Sequence, residues 1–338
     1  PETGVQFGAT AVRIFRAARG DSALRPSTDQ LFLVGTQRGQ VRLFVERDLW
    51  RDGNRQRLNA RVELQRFPQP FFGLGPDAPA AAEEWYTANQ ARAFASVQRT
   101  LPARLAAPLA RSPFAALGRG LYVQGTYRVT LTDVVAREAD GLLAGPAQPA
   151  GAGGGRVGQL EVGATWDTRT NLFAPTRGTF VQLVTAQAAP LLGSQFTFRR
   201  TTLDARAYRA LGPRTVLAAQ LVADAITAGT APFDQLPLVG GATVLRGYVQ
   251  GRWRDDALAA AQVEVRQALP WRLGLVAFGG VGGVGPSLRR ALTDAPLLPS
   301  YGLGVRWALL PRERANLRVD VAAGRGARGL YVGFAESF

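Results

Sequence analysis

Apolar and polar residues alternate one by one along most of the chain. From Arg57 to Gln65, Leu58, Ala60, Val62 and Leu64 fall on one face, and Arg57, Asn59, Arg61, Glu63 and Gln65 on the other. Successive side chains of a strand point to opposite faces, so a period of two predicts β-structure. In Tyr301–Leu309, Leu303, Val305 and Trp307 oppose Gly302, Gly304 and Arg306. Leu317, Val319 and Val321 likewise oppose Asn316, Arg318 and Asp320, and Leu121, Val123, Tyr127, Val129 and Leu131 oppose a polar set that includes Arg128. About fifteen such segments recur, near 5–16, 29–38, 40–49, 56–66, 86–99, 120–133, 157–168, 179–189, 195–210, 214–227, 257–269, 272–284, 299–310, 315–323 and 328–338.

Most segments are ten residues or longer. Strands of water-soluble domains average roughly five or six residues, whereas a tilted membrane-spanning strand needs about 9–11. The polar face carries full charges again and again, as in Arg61 with Glu63, Gln262 with Glu264 and Arg266, and Arg318 with Asp320. Lipid outside and a watery or salt-bridged lumen inside account for both faces. An antiparallel sheet with one wet face is the soluble alternative. A lipid-embedded sheet cannot leave an edge unpaired, which favours closure into a barrel. The expected fold is therefore all-β: one transmembrane antiparallel barrel of about 15–16 strands, forming a single domain over residues 1–338.

The connections vary in length. Short turns are expected at 37–40, 211–215, 269–272 and 310–316, and longer loops at 67–85, 134–156, 228–256 and 285–298. Long loops on one rim and short turns on the other is the outer-membrane arrangement. The Ala/Leu/Pro-rich stretch at 101–119 departs from it and is expected as a short helix on the short-turn rim.

Composition removes whole chemistries. All 40 basic residues are arginine; lysine, histidine, cysteine and methionine are absent. Without histidine there is no Ser-His-Asp triad, and without cysteine no thiolate nucleophile. Without lysine there is no phosphate-loop lysine. No enzyme activity, cofactor or metal is expected. The net charge of +15 invites a nucleic-acid reading, but the arginines are dispersed along the chain, which fits loops and the wet faces of strands better. No apolar run approaches the roughly 20 residues of a transmembrane helix.

The stretch from Leu238 to Val284 resembles the last third of the BamA/TamA family of outer-membrane assembly barrels, the bacterial surface antigen barrels. Its mark is the Arg246-Gly247-Tyr248 triplet in the long 228–256 loop. The stretch 166–180 resembles the family's strand–turn–strand, with Asp167, Arg169, Asn171, Pro175 and Gly178 in its pattern. The segment 329–338 resembles its terminal strand, with Phe334 on the apolar face and Phe338 last. Residues 1–9 and 66–75 resemble the front half, so the likeness covers nearly the whole chain.

The resemblance implies that the loop folds back into the lumen, where its arginine meets acidic side chains of the wall. A guanidinium confined there needs a carboxylate to offset desolvation. Glu264, inward-facing on the next strand, is the expected partner. Gly280 stands where the family has a second acid, which points to a weakened anchor or one rerouted to Asp224, Asp255 or Asp256. A solvated loop arginine is the plain alternative. Phe338, together with Phe334, is either the terminal signal read by assembly machinery or an ordinary residue of the lipid-facing aromatic girdle. Strand parity predicts one further strand just upstream of Pro1. The implied role is assembly, insertion or translocation in the bacterial outer membrane, through the lumen loop and a seam between first and last strands. The implied partners are outer-membrane lipid, nascent outer-membrane proteins, and periplasmic or lipoprotein subunits, with no nucleic acid. A passive channel or membrane anchor cut from a larger fusion protein is the alternative.

Overall fold

The computed structural model describes residues 5–17, 24–101, 120–294 and 297–338. Its strands are β1 (Gln6–Phe15), β2 (Ser27–Thr36), β3 (Val41–Arg51), β4 (Gln56–Phe71), β5 (Glu84–Thr100), β6 (Leu121–Ala136), β7 (Gly154–Asp167), β8 (Gly178–Ala188), β9 (Phe198–Ala210), β10 (Thr215–Gly229), β11 (Ala257–Ala268), β12 (Leu273–Gly285), β13 (Leu298–Leu310), β14 (Ala315–Gly324) and β15 (Ala327–Phe334). Each is hydrogen-bonded to its sequence neighbour, in one 15-stranded antiparallel sheet. Every alternating segment of the sequence is a strand. β4 and β5 reach further than the alternation suggested, because Phe71 and Tyr86 bury against the loops above them.

The two faces of the sheet separate as the pattern requires. Leu303 is 69% exposed, Leu330 68% and Val62 57%, whereas Glu63 is 3% exposed and Glu264 and Asp320 are fully buried. An outer face this apolar, continued over neighbouring strands, cannot face water. Lipid is its solvent, and the fold is a transmembrane β-barrel with its charges inside. The inward charges are paired across strands: Arg57 with Asp48 at 2.7 Å, Arg128 with Glu161 at 2.6 Å, and Arg42 with Glu63 at 2.9 Å.

One rim carries the loops 72–83, 137–153 and 230–256; the other carries turns such as 52–55, 211–214, 269–272 and 311–314. The Gln37–Gln40 turn, expected with the other short turns, belongs by parity to the long-loop rim. It stays short because Gln40 folds inward, donating to the Pro68 carbonyl at 2.9 Å. The stretch 102–119 and Pro1–Gly4 lie outside the described residues, the first with the expected helix.

β1 and β15 are the two edges of the sheet. Both are odd-numbered and run the same way, so antiparallel closure needs one more strand between them. That parity is the ground for the expected upstream strand; among the described residues there is no sixteenth. At the short-turn rim the edges approach: Arg16, just after β1, donates to Glu313 of the β13–β14 turn at 3.1 and 3.3 Å.

Candidate functional site: a lumen loop locked to the wall

The β10–β11 loop turns into the lumen. Two short bridges, Leu238 to Arg254 and Gly240 to Val244, fold it into a compact lobe. Its apolar side chains, Val239, Leu245 and Tyr248, pack on Leu258, Ala260, Val284 and Leu298 of the wall. Gly247 makes the approach possible. Its φ is +111°, and a Cβ there would lie 2.8 Å from the Ala323 backbone carbon. No L-residue combines that dihedral with that contact at low cost.

The lobe delivers Arg246, 1% exposed, to the wall. Its guanidinium donates to Glu264 on β11 and, at 2.6 Å, to Oδ2 of Asp320 on β14. The cation lies 3.5 Å from the centroid of the Phe278 ring, so its flat face is also covered. The backbone is fixed on both sides: the Gly247 N–H donates to the Tyr331 hydroxyl at 2.8 Å, and Leu245 N–H to Gln262 at 3.2 Å. The Tyr248 hydroxyl donates to the Pro299 carbonyl and accepts from Arg325 N–H at 2.9 Å.

Both carboxylates are shared with wall cations. Arg266 donates to Glu264 at 2.8 Å, and Arg306 donates to the other oxygen of Asp320. Arg318 stands 3.7 Å from Asp320, and Arg306 donates to Glu336 at 2.7 Å. Four guanidiniums thus surround three carboxylates. Small residues make the space: a Cβ at Gly304 would sit 2.0 Å from Asp320, and one at Gly280 would meet Leu245 at 3.1 Å.

Sequence reasoning placed Glu264 beside Arg246, and the two are brought together. The second acid is a correction. Asp224 accepts from Arg200 and, at 3.0 Å, from Thr202. Asp255 accepts from the Asp256 N–H at 2.8 Å, and burial pushes both of these loop carboxyls up. None of the three makes a described bond to Arg246; Asp320 does, two strands beyond Gly280. Its inward parity on β14 and the glycine opposite it, Gly304, are the signals that point there.

The end of the chain is also a correction. β15 stops at Phe334, and Ala335, at φ +65°, turns the next residues inward. Phe338 is 4% exposed and packs with Tyr208 and Ala218, residues of the inner face. It is not a lipid-facing girdle residue. Arg266 donates to its carbonyl at 2.8 Å, and Ser337 donates to the loop's Ala242 carbonyl at 3.1 Å. Loop and tail therefore share one ion network. Sequence missed this because Glu336 breaks no pattern that alternation can detect.

The Asp167 motif forms a second lock at the short-turn rim. Asp167 accepts from Arg169 at 2.9 Å and from Arg25 at 2.6 Å. The Asn171 side chain accepts from Phe173 and Ala174 N–H, both at 2.8 Å, and donates to the Glu313 carbonyl at 3.1 Å. Phe173 meets Phe334 edge to face at 5.8 Å. The turn ends in buried Pro175, and Gly178 starts β8 at φ +103°, where a Cβ would strike the Thr168 carbonyl. Hence the 168–177 turn reaches the β13–β15 wall. Asn171→Ala is expected to lower the barrel's unfolding midpoint in a heat-modifiability gel, by about 1–2 kcal/mol for the lost bonds; an unchanged midpoint contradicts that role.

A cavity of about 500 Å³ fills the β4–β9 side, lined by Arg92, Gln124, Arg128, Gln182 and Arg200 and capped by Asp234 and Gln235 of the loop. Asp234 is held by Thr132 at 2.7 Å.

The Omp85 superfamily domain matches residues 34–338. Among solved structures, BamA from Haemophilus ducreyi lacking POTRA domains 1–3 superimposes with a TM-score of 0.55 at 14% identity, over 98% of this chain and 68% of that one. CdiB from Acinetobacter baumannii gives 0.61 at 12% identity, over 97% of this chain and 56% of that one. CdiB from Escherichia coli gives 0.60 at 11%, over 98% and 59%. The chain thus spans little more than half the length of either CdiB. No curated protein matches it by sequence.

Proposed function

Because the chain belongs to the Omp85 superfamily, we propose that it is a bacterial outer-membrane barrel that assembles or translocates other proteins, gated by its β10–β11 loop. The observation that carries this reading is the Arg246 lock. A loop that merely shields the lumen needs apolar packing, not a buried cation shared between acids on β11 and β14. Such a cluster is favourable in one geometry only, which suits a two-state element. The same loop caps the polar cavity through Asp234 and Gln235, so freeing it opens that half of the lumen. The outer-membrane setting is supported by the apolar outer face and by the family. An incoming strand would pair at the seam between the first and last strands, since exposed N–H and C=O rows template a neighbour. The work needs no covalent chemistry. Its partners are outer-membrane lipid and client polypeptides, with periplasmic or lipoprotein subunits as helpers.

Two assays in liposomes separate this from a passive channel or anchor: ion conductance, and the folding rate of an added outer-membrane protein. The intact chain is expected to conduct weakly and to speed client folding. Deleting residues 232–254 is expected to raise conductance several-fold. A passive channel conducts when intact and leaves client folding unchanged; that pair of results would overturn the proposal.

A further inference from the structure

Three neighbouring turns on the short-turn rim hold a feature that the lock does not use. In the β11–β12 turn, Trp271 and Arg272 lie at φ +64° and +69°, and Arg314 in the β13–β14 turn lies at +58°. Glycine or asparagine takes that conformation more readily. Yet the turn keeps a tryptophan, 88% exposed, and an exposed arginine. The tight hairpin turn from Pro270 to Leu273 requires φ > 0 at both central residues, and it sets this tryptophan and arginine out from the rim.

The charges around it are unpartnered. Arg214, Arg272, Arg312 and Arg314 are exposed, and none makes an ion pair or side-chain hydrogen bond among the described residues. Glu313 stands between two of them but is held by Arg16. Turns two strands apart lie about 10 Å from one another, near one Debye length at physiological salt, so their fields add. On the opposite rim Arg290 pairs with Asp294 at 3.4 Å.

We propose that this rim sector, spanning β9 to β14, is a docking surface for anionic phospholipid headgroups of the leaflet that meets it. Apolar residues decide between lipid and an acidic protein. Leu211 (56% exposed) and Trp271 sit in the same turns as the arginines. Leu273, Trp307 and Leu309 are exposed on β12 and β13. Aromatic residues at headgroup level with arginine just beyond is the arrangement of a membrane interface. The sector lies beside β15, the last strand of the sheet.

The test is lipid selectivity of the full chain, measured by electron paramagnetic resonance in phosphatidylcholine bilayers with spin-labelled phosphatidylglycerol or phosphatidylcholine. The intact barrel is expected to prefer the anionic label several-fold, and the preference is expected to shrink at high salt. R214Q/R272Q/R312Q/R314Q is expected to bring it near unity, while R289Q/R290Q on the other rim leaves it in place. Heat modifiability checks that each variant is folded. No preference in the intact chain overturns the proposal, as does one that survives the quadruple substitution or is lost in the other-rim control.

Discussion

Asp320→Ala is expected to destabilise the barrel more than any other single substitution in the lock. Asp320 is fully buried and serves Arg246, Arg306 and Arg318. Removing it leaves four guanidiniums facing only Glu264 and Glu336. Breaking a buried ion pair from one side costs about 3–5 kcal/mol, because the remaining charge is stranded. Here the stranded charges are on the wall as well as on the loop, so the loss reaches the sheet itself. Urea unfolding followed by tryptophan fluorescence should show a lower midpoint. Asp320→Asn keeps the shape and is expected to lose part of the same stability, since it can still accept hydrogen bonds. Equal midpoints for all three proteins contradict the assignment.

Arg246→Ala is expected to behave differently. After the change Glu264 keeps Arg266 and Asp320 keeps Arg306, so each wall acid still has a cation. The cost therefore falls on the docking of the loop. At about 3 kcal/mol the ratio of docked to undocked loop shifts roughly a hundredfold, with little change in the unfolding midpoint. Arg246→Lys should not restore docking. One ammonium on a flexible stem cannot span two carboxylates and lie flat on Phe278 as the guanidinium does. The two substitutions thus separate barrel stability from gating.

The strands were legible in the sequence because a lipid-facing sheet must alternate; Leu317, Val319 and Val321 point outward while Arg318 and Asp320 point inward, as the pattern required. Glu264 was legible for the same reason, by its parity on the strand after the loop. Asp320 was not, although its inward direction was. Its reach to Arg246 depends on the sheet's curvature and on Gly280, which admits Leu245 where a larger residue would stand. Neither is a local property. The tail failed for a different reason. Leu330, Val332 and Phe334 continue the outward alternation, but the inward turn at Ala335 is set by Glu336 finding Arg306 and Asn316, at 2.7 and 2.8 Å, on two other strands. The net charge of +15 was visible from the start; that Arg214, Arg272, Arg312 and Arg314 share one rim follows only from strand parity.

The central claim is that Arg246 holds the loop in the lumen, and the absence of cysteine allows a direct test. Val239 is fully buried in the docked loop, and a cysteine there is close to its size. The reaction of Val239→Cys with a water-soluble maleimide, in the bilayer-embedded protein, reports how often the loop leaves. With Arg246 present the thiol should react slowly; with Arg246→Ala added it should react about a hundredfold faster, at an unchanged unfolding midpoint. Equal labelling rates in the two backgrounds would contradict the lock.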